Sequence, residues 1–321
     1  MGTTTLTINE TAKWLSSRDN FLILTHRRPD GDTLGCAGAL AQILLEQGKT
    51  AYILYNAEIT PRYAPFVEEH WAPEAFSPEN IITIDTASYE LFPKNGDRYK
   101  ESISLCIDHH PSNTYYAEHT LIDSSTASCG EIIYDLAIAM TCSISKKTAD
   151  CLYVALSTDT GCFAFANTTA NTLRTAASLI EAGASYRKIN KELFRTRTIG
   201  RIKLEGLIFS NLEFYFGGIV AISTITRDII EKSNATEDDL DDIASIPGSI
   251  QGVQAGITLR ELTSEKDCKA SVRTGASINA HSVCARFGGG GHPMAAGFSM
   301  DKTIAEVKAE LLEVLKDFIR G

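Results

Sequence analysis

The chain has 321 residues, 30 Lys+Arg against 40 Asp+Glu, a formal net charge of −10 at pH 7 and 44% hydrophobic residues. That length suits about two globular domains, each with its own core, and the composition excludes disordered and fibrous classes. The acidity, with a pI near 5.2, excludes a broad basic track for duplex DNA or an anionic membrane, so any contact with phosphates must be local.

The N-terminus, MGTTTLTINETAKW, has neither a basic n-region nor an apolar h-region. No later segment approaches about 18 uninterrupted apolar residues, so the expectation is a cytoplasmic protein with no membrane partner. Eight cysteines are scattered without a C-x-x-C pair, a pattern of reduced, buried thiols rather than a disulfide frame or thiolate zinc site. Residues 21–25 (FLILT) read as a buried strand, 33–47 as a helix stopped by Gly48, and 50–55 as a second strand. Residues 81–85 and 104–108 are further strands, and 126–140, 146–157 and 169–182 are helices, the last stopped by Gly183. Strands separated by helices predict an α/β domain with a mostly parallel sheet and helices on both faces. Ligands of such sheets bind beyond the carboxyl ends of the strands.

A stretch rich in Arg195, Arg197, Arg201 and Lys203 marks a helical linker over residues 187–210, dividing a first domain, 1–186, from a smaller α/β domain, 211–321. In the latter a hairpin turns at Gly217-Gly218. An acidic helical piece follows over 237–245, its run Glu237-Asp238-Asp239-Leu240-Asp241-Asp242 reading as a helix N-terminus and solvated face. Strands over 255–262, 268–273 and 295–298 and a closing helix over 303–320 complete it.

Chemistry concentrates at strand ends. Thr25-His26-Arg27-Arg28-Pro29-Asp30-Gly31-Asp32 follows the first strand, and Pro29 and Gly31 keep the side chains free to converge. The plain alternative is a polar strand-to-helix turn with Asp32 or Thr33 as N-cap. Asp85 ends a second strand, Asp108-His109-His110 a third, and Asp159 follows a helix. Five carboxylates and three imidazoles without a thiolate form a donor set for Mn²⁺ or Mg²⁺ rather than structural zinc. So many anionic groups at one sheet edge repel one another unless cations sit among them. A pair of divalent ions suits hydrolysis of a phosphoester. The run Gly288-Gly289-Gly290-Gly291 offers backbone N–H donors to an anion, and His292 adds a side-chain donor. Arg27 and Arg28 are candidate phosphate attractors, Arg286 a weaker substrate candidate, and His119 and His281 surface or capping residues.

THRRPDGDTLG, ITIDTA, CIDHHPSN and STDTGCFAF resemble, in order, the four motifs of the DHH phosphoesterase superfamily. Gly288–His292 followed by PMAAGF resembles the glycine-rich signature of the DHH-associated substrate-binding domain, DHHA1, so the resemblance runs over about residues 25–298. It implies a cofactor of two divalent cations, Mn²⁺ first, with Mg²⁺ or Co²⁺ as alternatives. His26, Asp30 and Asp85 would hold one ion, and Asp32, Asp85, His109 and Asp159 the other, with Asp85 bridging. Asp108 would orient a ligand histidine or reach the ions at longer range, and His110 would face the substrate phosphate as electrophile or proton donor. Arg273 aligns with the arginine that family members place on a substrate phosphate or base.

The compact length resembles the subgroup of nanoRNases, bifunctional oligoribonuclease and 3′-phosphoadenosine 5′-phosphate (pAp) phosphatases, and soluble cyclic-dinucleotide phosphodiesterases. The implied activity is hydrolysis of short single-stranded oligonucleotides to nucleoside 5′-monophosphates and of pAp to AMP, in a cleft between the domains, with a homodimer as the implied assembly. Alternatives are a cyclic di-AMP or pApA phosphodiesterase, a RecJ-like single-strand exonuclease, and a non-catalytic nucleotide sensor.

Overall fold

Six short strands open the architecture of the computed structural model: β1 Thr4–Thr5, β2 Phe21–Leu24, β3 Ala51–Ile53, β4 Asn80–Ile84, β5 Leu105–Asp108 and β6 His119–Ile122. Residues 3–240 and 242–319 are described. Asp241 of the acidic run and Arg320 at the end of the closing helix lie outside them, as do Met1, Gly2 and Gly321. The six strands pair in the order β1-β6-β5-β4-β2-β3, every pairing parallel.

Alternation along the strands supplies two buried faces. Phe21, Ile23, Ile82, Ile84, Leu105 and Ile107 enter one core, roofed by α1 Ile8–Ser16, α2 Gly31–Glu46, α3 Cys129–Ala139, α4 Lys146–Asp159 and α5 Ala170–Glu181. Leu22, Leu24, Ile81 and Cys106 enter a second core with Phe92 and Ile103. That face differs from the expectation of α-helices on both sides: short 3₁₀ segments, Tyr89–Leu91 and Lys94–Ser102, cover it. Pro93 lacks a backbone donor and the following KNGDRYKES is polar, so this connection buries its aromatic residues without building an α-helix. The strands β1 and β6 and the helix α1 had no counterpart in the sequence reading. β1 has two residues, too few for a pattern, and β6 mixes polar His119 and Thr120 with apolar residues, whereas α1 carries a legible signal, a capping box between Thr7 and Glu10.

Helices α2 and α4 run antiparallel in close contact. A Cβ on Gly31 would lie 2.4 Å from Thr158, and one on Gly35 2.4 Å from the Cys151 carbonyl oxygen. Only glycine admits that approach. It places Asp32, in the first turn of α2, beside Asp159, the last residue of α4.

The chain forms two compact units, Met1–Thr196 and Arg197–Gly321. The basic stretch holds α6 Tyr186–Asn190, a π-turn Lys191–Arg195, and α7 Ile199–Ser210. The second unit has a mixed sheet of β7 Glu213–Tyr215, β8 Val220–Ile225, β9 Ala255–Glu261, β10 Cys268–Thr274, β11 Gly290–His292 and β12 Ala295–Met300, in the order β11-β12-β10-β9-β8-β7. Besides α7, it holds α8 Arg227–Ser233, α9 Ala280–Ala285 and α10 Ile304–Ile319. The acidic run departs from expectation. Within the 237–245 piece it forms a 3₁₀ turn, Glu237–Leu240, followed by another at Ile243–Ser245, and Asp239 is buried, accepting from Thr198 Oγ1 at 2.6 Å and Thr236 N at 2.8 Å. Those tethers take Asp239 out of the solvated face. Among the described residues no helix is long and apolar enough to cross a membrane.

Candidate metal centre

The donors converge because four elements end at one sheet edge. β2 delivers His26, and two residues before α2 turns, Pro29 breaks the chain. The N-cap of α2 is Asp30, not Asp32 or Thr33: its Oδ1 accepts from Asp32 N at 3.0 Å and Thr33 N at 3.2 Å. Asp32 is thereby free to point inward. It is buried, its Oδ2 accepting from Cys129 N at 2.8 Å, and its Oδ1 from Ser128 Oγ at 2.8 Å and Gly130 N at 3.2 Å. This is the positive end of α3, a fitting seat for a carboxylate. Sequence reasoning missed Ser128, Cys129 and Gly130 in this role; a serine N-cap was legible, its partner was not.

Asp85 follows β4 with φ 54°, a left-handed conformation that Asp tolerates better than most residues. Its N–H donates to Ile107 O at 2.9 Å, fixing the turn that aims the side chain. Asp85 Oδ1 is buried and has no hydrogen-bond partner among the described residues. It lies 3.4 Å from His109 Nε2 and 3.3 Å from His110 Nδ1, while Asp85 Oδ2 lies 3.9 Å from His26 Nε2. His109 Nε2 is also 3.7 Å from Asp32 Oδ2 and 3.6 Å from Asp159 Oδ2, and His26 Nε2 is 3.7 Å from Asp30 Oδ1.

Three donor groups result, His26/Asp30/Asp85, Asp32/His109/Asp159 and Asp85/His109/His110, each with ligand atoms within 4.8 Å of one another. Separations of 3.3 to 3.9 Å are long for direct hydrogen bonds. They suit neighbouring donors around an ion at about 2.1 Å, which stand about 3–4 Å apart. With the orphaned Asp85 oxygen, they fit a divalent pair.

The charges agree. Burial raises Asp32 well above the usual carboxylate range, and repulsion from Asp85, Asp159 and Asp30 adds to it. Burial also lifts Asp159 to about 7, with His109 pulling back and Asp85 pushing further. Burial acts against the charged form of His26, yet bonding and attraction to Asp30, then Asp85, raise it to about 9. Burial would raise Asp30, but His26 holds it down at about 2. A cluster whose burial and mutual repulsion favour bound protons is one where cations can take their place.

Asp108 belongs to none of the three groups. It is fully buried, and its Oδ1 accepts from His110 Nδ1 at 2.8 Å and from the amides of His109 at 2.8 Å and His110 at 3.2 Å. Asn113 Nδ2, a residue not singled out from the sequence, donates to Asp108 Oδ2 at 2.6 Å. Burial opposes the charge of Asp108, but the His110 and Asn113 bonds keep its pKa below the ordinary value. With the Nδ1 proton directed to Asp108, His110 is a poor ligand through that nitrogen, and its Nε2 is the atom left for a substrate.

In the second unit, Arg273 on β10 and His292 on β11 are both registered opposite Ala295 of β12. Directly opposed residues share a face, so the two side chains flank a small alanine about 10 Å apart. The glycine run is less open than expected. The amides of Gly288 and Gly289 donate to Ala285 O and Cys284 O, which removes them from an anion nest, and Gly290–His292 is strand. Gly291 has φ 139°, and a Cβ there would lie 2.6 Å from Ala295 O. His281, expected as a surface or capping residue, has Nδ1 2.9 Å from Gly291 O and holds the run in place. Arg286 lies 3.7 Å from Asp317 on α10.

A parallel sheet bearing clustered carboxylates and imidazoles at its carboxyl edge, with a separate mixed-sheet unit, defines a two-part α/β protein with a divalent-cation type of centre. Residues 20–156 match the DHH family, N-terminal domain, and residues 217–321 match the DHHA1 domain. The chain belongs to the DHH family of phosphoesterases. It is 29% identical over 278 residues to the bifunctional oligoribonuclease and PAP phosphatase NrnA of Thermus thermophilus, covering 87% of this chain and 83% of that protein. To the protein of the same name from Bacillus subtilis it is 29% identical over 300 residues, covering 91% and 92%. An exopolyphosphatase-related protein from Bacteroides fragilis shares the fold, with a TM-score of 0.86, 23% identity and coverage of 98% of this chain and 95% of that one.

Proposed function

We propose that this protein is a two-cation phosphoesterase that hydrolyses short single-stranded oligonucleotides to nucleoside 5′-monophosphates and pAp to AMP. The observation that carries the reading is the shared carboxylate: Asp85 belongs to two donor groups that reach it from different elements, and its inward oxygen lacks a hydrogen bond. The names of the Thermus and Bacillus relatives support the substrate class.

In this reading His26, Asp30 and Asp85 hold one ion, and Asp32, Asp85, His109 and Asp159 the other. Mn²⁺ is the first candidate on the mixed carboxylate and imidazole donor set. Bound there, the ions supply positive charge to the phosphoryl group and make water acidic enough to act as nucleophile near neutral pH. Burial and neighbouring carboxylates favour the protonated form of Asp32; bound cations would hold it ionised, helped by the Cys129 and Gly130 amides and the Ser128 hydroxyl that donate to it. Asp108 fixes His110 by its Nδ1–H, so that Nε2 donates to the phosphate or its leaving oxygen. Arg273 offers a planar guanidinium to a substrate phosphate or base, and His292 a second donor.

The test is a substrate panel, with Mn²⁺, Mg²⁺ and Co²⁺ in turn: di- to pentanucleotides, pAp, cyclic di-AMP and a long single strand. The expected result is turnover of the short oligonucleotides and pAp. Preference for the long strand overturns the reading in favour of a RecJ-like exonuclease, and exclusive turnover of cyclic di-AMP overturns it in favour of a cyclic-dinucleotide phosphodiesterase.

A further inference from the structure

Beside the metal-type donors, the carboxyl edge of the first unit continues into a groove of about 900 Å³. It is lined by residues that follow β2 (Arg27, Arg28), β3 (Tyr55 and its successors) and β4 (the 3₁₀ segments to Lys100). Two backbone ties join it to the centre. Asn56 Nδ2 donates to His26 O at 3.1 Å, and Arg27 N to Leu91 O at 2.6 Å. The groove is therefore built on the loop that delivers His26, displaced toward β3.

Its chemistry is that of a nucleotide site. Two of its four cations are balanced, Arg28 lying 3.8 Å from Glu58 and Lys100 2.9 Å from Asp97. The other two, Arg27 and Lys94, have no side-chain partner among the described residues and face one remaining lining carboxylate, Glu90. In a chain of net charge −10, a groove lined by four cations against three carboxylates is locally positive and favours an anion there. Tyr55 is 56% exposed, although its ring centroid lies 4.3 Å from that of Trp71. One face of the phenol rests on Trp71 and the rest is open to a base, with Asn95 Nδ2 fixing the Tyr55 carbonyl at 2.7 Å. An exposed aromatic ring beside free cations is how single-stranded nucleic acid is bound without base readout. The volume is of the size that small ligands fill.

We propose that this groove is a second nucleotide subsite, which holds the part of a short single strand lying beyond the scissile phosphate. Tyr55 stacks on the base, and Arg27 and Lys94 take the next phosphate. The inference rests on the phosphoesterase reading for what occupies the centre, and it makes the enzyme's preference a matter of chain length: a pentanucleotide reaches the groove and pAp does not.

Two measurements on the full-length protein test it. In the first, KM is determined for a pentanucleotide and for pAp with wild type, Tyr55→Ala and Lys94→Ala. The expected result is that the ratio of the two KM values rises about tenfold in each variant. Equal shifts for both substrates, or no shift for the pentanucleotide, overturn the subsite. In the second, fluorescence anisotropy follows a labelled pentanucleotide against salt. Lys94→Ala is expected to weaken binding and to flatten the slope of log K against log salt by about 0.7, the share of one single-strand phosphate contact. An unchanged slope overturns the phosphate contact. A wild-type protein that hydrolyses neither substrate yet shows these binding differences refutes the hydrolase reading and leaves the subsite standing.

Discussion

Replacing Gly35 by alanine tests whether the α2–α4 contact seats the centre. The new Cβ would stand 2.4 Å from Cys151 O and 2.8 Å from Ala155 N, so the helices must part by about 1 Å to reach ordinary contact. Overpacking of this kind costs about 1–3 kcal/mol, against which a helical alanine returns about 1 kcal/mol over glycine. Both neighbouring atoms are backbone and cannot swing aside, which puts the net loss at about 1–2 kcal/mol. For a unit of this size that is a fall in Tm of about 2–8 °C. The parting separates Asp32 from Asp159, and a misplacement of about 1 Å costs on the order of 10²-fold in rate. Gly206→Ala is the control, because nothing lies within 4 Å of the new Cβ and the position is helical. It is expected to gain about 0.5–1 kcal/mol. Calorimetry and turnover in Mn²⁺ read both variants. A Gly35→Ala protein that melts at or above wild type with full activity would refute the argument that close helix approach positions the two carboxylates.

Asp85→Asn removes a charge shared by two donor groups and is expected to lower turnover at least about 10²–10³-fold, at 1.36 kcal/mol per factor of ten, with far-UV circular dichroism intact; retained activity refutes the bridging role. Asp108→Asn leaves the His110 Nδ1 proton without a carboxylate and is expected to cost about 10–100-fold in activity while Mn²⁺ still binds by calorimetric titration; unchanged turnover shows that the Asp108–His110 bond has no part in the reaction. The metal-free protein has its own pH dependence. Asp159 near 7, His26 near 9 and His110 near 11 each hold a proton more tightly folded than unfolded. Burial opposes the His110 shift, and the bond to Asp108 with the charge of Asp85 outweighs it. Stability in EDTA is therefore lost as pH rises, from about 4 for the aspartate and about 6.5 for the histidines, through those values. Asp30 near 2 works oppositely, and only below about pH 4. Mn²⁺ needs the same groups deprotonated, so its stabilisation grows over the same range, reaching about 2.7 kcal/mol at a hundred times Kd. Thermal melts in EDTA and in Mn²⁺ across pH check this, and an EDTA curve that rises from pH 4 to 8 refutes it.

Much of the centre was legible because its residues sit next to strong local signals. A four-residue apolar strand followed by HRRPDGD, or one ending in DHH, announces both the strand and the polar group at its end, since period-two burial and a Pro or Gly break are properties of neighbours in sequence. The helix α2 and the hairpin at Gly217-Gly218 were readable for the same reason. The plain alternative put the N-cap at Asp32 or Thr33, two or three residues after the observed Asp30, because all three are good capping residues and the choice depended on which carboxylate α3 would receive. The tetraglycine run showed flexibility in sequence, yet pairing with β12 made half of it strand and turned two of its amides back onto α9.

The sequence by itself determined the donor inventory, the parallel sheet and the rule that ligands gather at strand ends, all consequences of local pattern. Tertiary structure alone decided that the N-terminus of α3 faces Asp32, that Asn113 and Asp108 stand behind His110, that glycines on α2 let Asp159 approach, and that Tyr55 and Lys94 share a groove with Arg27. Apart from the local Asp108–His110–Asn113 set, those pairings join residues tens of positions apart through contacts that no local periodicity encodes. They depend on which faces meet when helices pack, and on the space left once they do.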